Sequence, residues 1–131
     1  MWRAIFAFAR RQIERYDIRT PSERTPIGRL SGGNIQKALF AREIDEEAAI
    51  VVLNKPTYGL DLQNIESARD RIREGASRGI TTVLISTELE ELIDLADRVG
   101  VMYQGRMVGV VQAEPGSESR IGSLMTGASL N

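Results

Sequence analysis

A chain of 131 residues with 42% apolar and 27% charged side chains is of one-domain size, and if compact it can bury roughly 70% of its unfolded surface. A formal net charge of -1 leaves no basic footprint for nucleic acid, so a nucleic-acid partner is not expected. The absence of cysteine and histidine excludes disulfides, thiolate metal sites and thiol nucleophiles, and leaves any acid–base chemistry to carboxylate, lysine or tyrosine.

From the N-terminus, Trp2, Ile5, Phe6, Ala9, Ile13 and Tyr16 form one apolar stripe at helical spacing, with Arg3, Arg10, Glu14 and Arg15 elsewhere. The pattern predicts an amphipathic helix that faces the core; a basic helix lying against a membrane protein or membrane surface is the alternative. The opening MWRAIFAFARR is too short in its apolar part, and too quickly followed by arginines, for a signal peptide, so it reads as mature protein. The longest apolar run, Ala48 to Leu53, is far short of the roughly 20 residues a membrane span requires.

DIRTPSERTPIGR reads as a surface loop, and LSGGNIQKALFAREI as a glycine-led turn running into a helix that carries Ile35, Leu39, Phe40 and Ile44. Residues 49–53 predict a strand buried on both faces, as in a parallel sheet. Asp61 can cap a helix carrying Ile65, Ala68, Ile72 and Ala76 inward and ending at Gly79. ITTVLIS is a second strand, and Thr87 with Glu90 forms a capping-box pattern for a helix packing Leu89, Leu92, Ile93 and Ala96. RVGVMYQGRMVGVV, broken at Gln104-Gly105, predicts a hairpin. From Ala113 onward the chain is rich in Gly and Ser and is expected to be loosely ordered, with at most a short helix around Ile121 to Met125. The order implies an α/β fold with a short parallel sheet, flanking helices and a C-terminal hairpin. It divides into a helical part (1–45), a strand-bearing core (46–112) and a tail (113–131).

The most specific signal is LSGGNIQK, Leu30 to Lys37. Ser31, Gly32 and Gly33 place a hydroxyl and bare N–H groups at a helix N-terminus, where the macrodipole favours an anion and glycine lets phosphate oxygens approach the backbone. A capped turn would explain three such residues alone. Eight in this order, followed by IVVLNK and then PTYGLD, resemble the ATP-binding subunits of ABC transporters. Leu30 to Lys37 look like their signature motif, Ile50 to Lys55 like the Walker B strand, and Gly59 to Asp61 like the D-loop. LSGGNIQK together with ISTELEELIDLADRVGVMYQGRMVG looks closest to the second nucleotide-binding domain of sugar and nucleoside importers. No Gly-x-x-x-x-Gly-Lys-Ser/Thr phosphate loop occurs, so the resemblance implies the C-terminal half of a P-loop NTPase domain of the ABC type.

By that resemblance Asn54 stands where the family has the aspartate that orients magnesium, and Lys55 where it has the glutamate that polarises the attacking water. Thr87 stands where it has a histidine. An amide is a weaker partner than carboxylate for a hard dication, and lysine, with an ordinary pKa of about 10.4, is no base near neutral pH. None of the three is therefore expected to be catalytically competent, and no metal site is expected on this chain. The resemblance implies ATP and magnesium held mainly by a partner domain, with Ser31, Gly32, Gly33, Asn34, Gln36 and Asp61 facing the nucleotide across the interface. It also implies a second nucleotide-binding domain and membrane permease subunits as partners, and a cytoplasmic location at the inner face of the cell membrane. Two other readings remain open: a non-catalytic interaction module, and a non-functional truncated remnant. In the family's sheet, the strand leading into the phosphate loop lies between those matching residues 81–86 and 98–103. Its absence would leave two unpaired edges, so either the two strands close up, a partner segment supplies the missing strand, or the isolated chain is unstable and prone to edge pairing, with rearrangement or self-association favoured.

Overall fold

A computed structural model describes residues 1–44 and 48–127. The elements run α1 (Trp2–Arg15), a 3-10 turn (Ile27–Arg29), α2 (Gly32–Glu43), β1 (Ile50–Asn54), α3 (Leu62–Ser77), β2 (Thr81–Ile85), α4 (Leu89–Leu95), β3 (Arg98–Tyr103), β4 (Arg106–Gln112) and α5 (Glu118–Met125). They form two compact units, Met1–Val83 and Leu84–Asn131.

The first unit is built on the β1–α3–β2 segment, whose strands make a short parallel sheet. Asp61 caps α3 as expected, its carboxylate accepting the Asn64 N–H at 2.9 Å. The helix closes with the N–H groups of Gly79 and Ile80 bonded to the carbonyls of Ala76 and Gly75, and Gly79 at φ +88° supplies the left-handed residue this ending needs. Ala68 and Ile72 are buried as the periodicity predicts. Gly75 rather than Ala76 faces inward, with Ile44 and Ile80 packed against it.

Two expectations fail in this unit. β1 is not buried on both faces: Val51 and Leu53 are, while Ile50 and Val52 stay 65% and 62% exposed. Nor is α1 a core helix. None of its residues is buried, and Trp2, Ile5 and Phe8 face solvent. Near the C-terminal end of the stripe, buried Tyr16 donates its hydroxyl to the Ile44 carbonyl at 3.2 Å, and farther up Arg24 lies 4.5 Å from the centre of the Phe6 ring. Arg71 lies over the Tyr16 ring, 4.8 Å from its centroid, and donates to the Arg15 carbonyl at 2.9 Å.

The second unit is an antiparallel hairpin, β3 with β4, packed against α4 and α5 around Val99, Val101, Val111, Ile121 and Leu124. Its turn is at Gln104-Gly105 as expected, both residues having positive φ, and Tyr103 pairs with Arg106 across it. The register slips between Val101 and Met102. The expectation of a loose C-terminal tail is corrected within the described residues, because α5 places Ile121 and Leu124 at 1% and 0% exposure. Residues 128–131 lie outside the description. The capping-box reading also fails: Glu88, not Thr87, is the N-cap of α4, and the Ser86 hydroxyl accepts the Glu88 N–H at 3.0 Å. Among the described residues β1 and β2 form one two-stranded sheet, and β3 and β4 form another.

Candidate nucleotide-facing site

The LSGGNIQK segment forms the start of α2. Leu30 is extended after the 3-10 turn, and Ser31, at φ -65° and ψ 158°, is the N-cap. The Ser31 Oγ accepts the Asn34 N–H at 3.4 Å and the Asn34 side-chain amide at 2.9 Å, and Ser31 and Gly32 are exposed. The first turn of α2 carries no acidic side chain. A hydroxyl and unblocked backbone donors at a helix start thus face solvent, where an anion from outside can reach them.

The remaining polar residues of the motif turn inward. Asn34 Oδ1 accepts the Arg19 N–H at 2.8 Å, and Gln36 Nε2 donates to the Pro56 carbonyl. Lys37 Nζ donates to the Asp17 carbonyl at 2.9 Å and to its carboxylate at 3.1 Å. That pairing holds the Asp17 carboxyl below its ordinary value of 3.8, through the hydrogen bond first and the lysine charge second. The motif therefore divides by chemistry. Ser31 and Gly32 offer donors outward, while Asn34, Gln36 and Lys37 fasten the helix to the segment after α1 and to the turn after β1.

Asp61, expected on the nucleotide side, is exposed at the N-cap of α3 and bound to Asn64. Through Asn64 the structure brings the Asp61 turn against Gly33. A Cβ on that glycine would meet the Asn64 side chain at 2.5 to 2.8 Å. Neither Asn64 nor Asp17 stood out as a site residue in the sequence, although Asn three positions after a capping Asp is a readable pairing.

At the end of β1, Asn54 is exposed and Lys55 turns into the left-handed region at φ +49°, its ammonium 5.9 Å from the centre of the Tyr58 ring. An amide and an ammonium at a strand end do not fit magnesium, and no group of three or more acidic, His or Cys side chains suited to a metal occurs among the described residues. Thr87 is exposed in the bend before α4, in the second unit.

No family model matches the chain. It is 41% identical over 120 residues to the guanosine import ATP-binding protein NupO of Bacillus subtilis (strain 168), covering 92% of the chain and 24% of that protein. It is 36% identical over 127 residues to the nucleoside import ATP-binding protein NupA of Lactococcus lactis, covering 97% and 25%, and 42% identical over 123 residues to the glucose import ATP-binding protein TsgD13 of Haloferax volcanii, covering 92% and 22%. Among solved structures, the ATP-binding cassette MJ1267 of an ABC transporter superposes with a TM-score of 0.70 at 20% identity over 92% of the chain and 46% of the cassette. The dimeric cassette MJ0796 gives 0.69 at 17% identity over 82% and 47%. The chain thus spans about a quarter of the length of these relatives and about half of a cassette. Over nearly all of its length the chain is thus similar in sequence to import ATP-binding proteins, and it shares the fold of about half of an ATP-binding cassette.

Proposed function

We propose that this chain contributes its signature motif to an ATP site held by a partner cassette, in an importer of the sugar or nucleoside class. The observation that carries the reading is the outward-facing start of α2: Ser31 as N-cap with Ser31 and Gly32 exposed, and no carboxylate in the first turn to oppose a phosphate. Ser31, Gly32 and Gly33 close over the terminal phosphate of the partner's nucleotide, and Asp61 helps to couple the two sites. The partner's phosphate loop holds ATP and magnesium. Hydrolysis takes place there, because Asn54, Lys55 and Thr87 leave this chain's own half-site without a carboxylate base. The exposed aromatic and basic residues of α1 meet the permease, and the chain works in the cytoplasm at the inner face of the membrane. Ile50 and Val52 on β1 and Val83 on β2 are exposed apolar groups through which the chain self-associates when no other partner covers them.

The test pairs the chain with a cassette subunit carrying an intact phosphate loop. Ser31→Arg is expected to lower the partner's stimulated ATPase activity about a hundredfold or more, the scale of a lost oxyanion donor. Lys55→Ala is expected to change it little. A crippling Lys55→Ala with a tolerated Ser31→Arg would reverse the roles assigned here.

A further inference from the structure

Asn64 stands in the first turn of α3, three residues after its N-cap Asp61, and is half-buried against the start of α2. Asp61 Oδ1 accepts its backbone N–H at 2.9 Å, while its side-chain Nδ2 donates to Asp61 Oδ1 at 3.0 Å and Oδ2 at 2.9 Å. Both ends of Asn64 are thus held by one carboxylate, which fixes its rotamer.

The amide so fixed lies in the space a side chain at position 33 would need. A Cβ on Gly33 would sit 2.5 Å from Asn64 Nδ2, 2.6 Å from Cγ and 2.8 Å from Oδ1, so the two segments touch only because residue 33 is glycine. Gly33, Gln36, Leu60, Asn64 and Ala68 line one small open pocket between the starts of α2 and α3.

We propose that Asn64 is a positioning residue that locks the Ser31–Gly33 turn to the Asp61 turn, so that the two starts of α2 and α3 move as one piece. Displacement of Asp61 by a neighbouring subunit is carried by its hydrogen bonds into Asn64, and by van der Waals contact from Asn64 into Gly33. The functional consequence rests on the trans reading proposed above; the lock itself is a property of this chain.

The test uses the full chain. Asn64→Ala removes all three atoms that crowd Gly33 yet leaves the N–H that Asp61 caps, so α3 is expected to form normally. By NMR, Asn64→Ala and Asp61→Ala are expected to shift the same Gly32 and Gly33 amide signals, with little further change in the double variant. Gly33→Ala is expected to destabilise the chain, and Asn64→Ala to rescue it, with a coupling of about fivefold or more in the unfolding equilibrium. Unmoved glycine amides, or additive stability effects, would overturn the lock. With a phosphate-loop-bearing cassette as partner, Asn64→Ala is expected to lower kcat about tenfold with KM for ATP nearly unchanged, and Gly33→Ala to be partly rescued by Asn64→Ala. If Ser31→Arg abolishes the partner's activity while Asn64→Ala leaves kcat and the glycine amides alone, the lock fails and the trans reading stands. If the amides couple but the partner ignores both Ser31→Arg and Asn64→Ala, the lock stands and the trans reading fails.

Discussion

Asp17 ends α1 in the left-handed region at φ +48°, where the N–H groups of Asp17 and Ile18 close on the carbonyls of Glu14 and Ile13. Glycine is the usual residue there. Aspartate serves because its carboxylate reaches Lys37, so one residue both stops a helix and fastens the next segment to α2. The pairing lowers the folded-state pKa of Asp17, so its contribution to stability is present above the ordinary carboxylate value of 3.8 and is lost as pH falls below it through the folded value. Urea denaturation from neutral pH down to about pH 2 is expected to show the parent chain's advantage over Lys37→Met shrinking in that acid window. An advantage that stays constant through acid would show the pair to be without energetic effect. At this scale the sequence disclosed Asp61 as a cap, because capping depends on residues a few positions apart. It did not disclose that Asn34 and Gln36 turn inward, since their partners, Arg19 and Pro56, are 15 and 20 residues away.

At the scale of elements, periodicity placed α2, α3, both strands of the hairpin and its turn, because each carries its own local signal. β1 misled because AAIVVL is apolar at every position, which specifies a strand that can be covered twice but not whether both covers are there. α1 misled for the same reason: its stripe exists, yet none of its residues is buried among the described ones. α5 was obscured by Gly and Ser around Ile121 and Leu124, whose burial comes from β3 and β4 rather than from neighbours in sequence. Glu91, at 1% exposure, sits off the apolar face that the α4 pattern traced. Leu124→Ala is expected to cost about 2–5 kcal/mol, because the cavity opens in a full core. Val52→Thr is expected to stay within about 0.5 kcal/mol. Paired thermal or urea unfolding measures both; equal losses would mean that the exposed face of β1 is covered in solution.

At the scale of the molecule, the chain shares the fold of about half a cassette and is similar in sequence to import ATP-binding proteins. Calorimetric titration of the purified chain with Mg-ATP is expected to give no binding heat, because exposed donors at one helix start, without a phosphate cradle, hold a nucleotide only as part of a two-sided site. Micromolar binding abolished by Ser31→Arg or Lys55→Ala would mean that the chain builds a nucleotide site of its own.

The segment from Ile18 to Leu30 contains no regular structure beyond the 3-10 turn at Ile27–Arg29, and it carries Arg19, Arg24 and Arg29. A trypsin-like protease therefore meets three cleavable bonds in the one stretch that covalently joins the aromatic helix to the signature helix. A single cut after Arg24 would leave α1 attached by Tyr16 on the Ile44 carbonyl, Arg71 on the Arg15 carbonyl and Lys37 on Asp17. The connection between the two helices would then be a matter of affinity rather than of covalent chain.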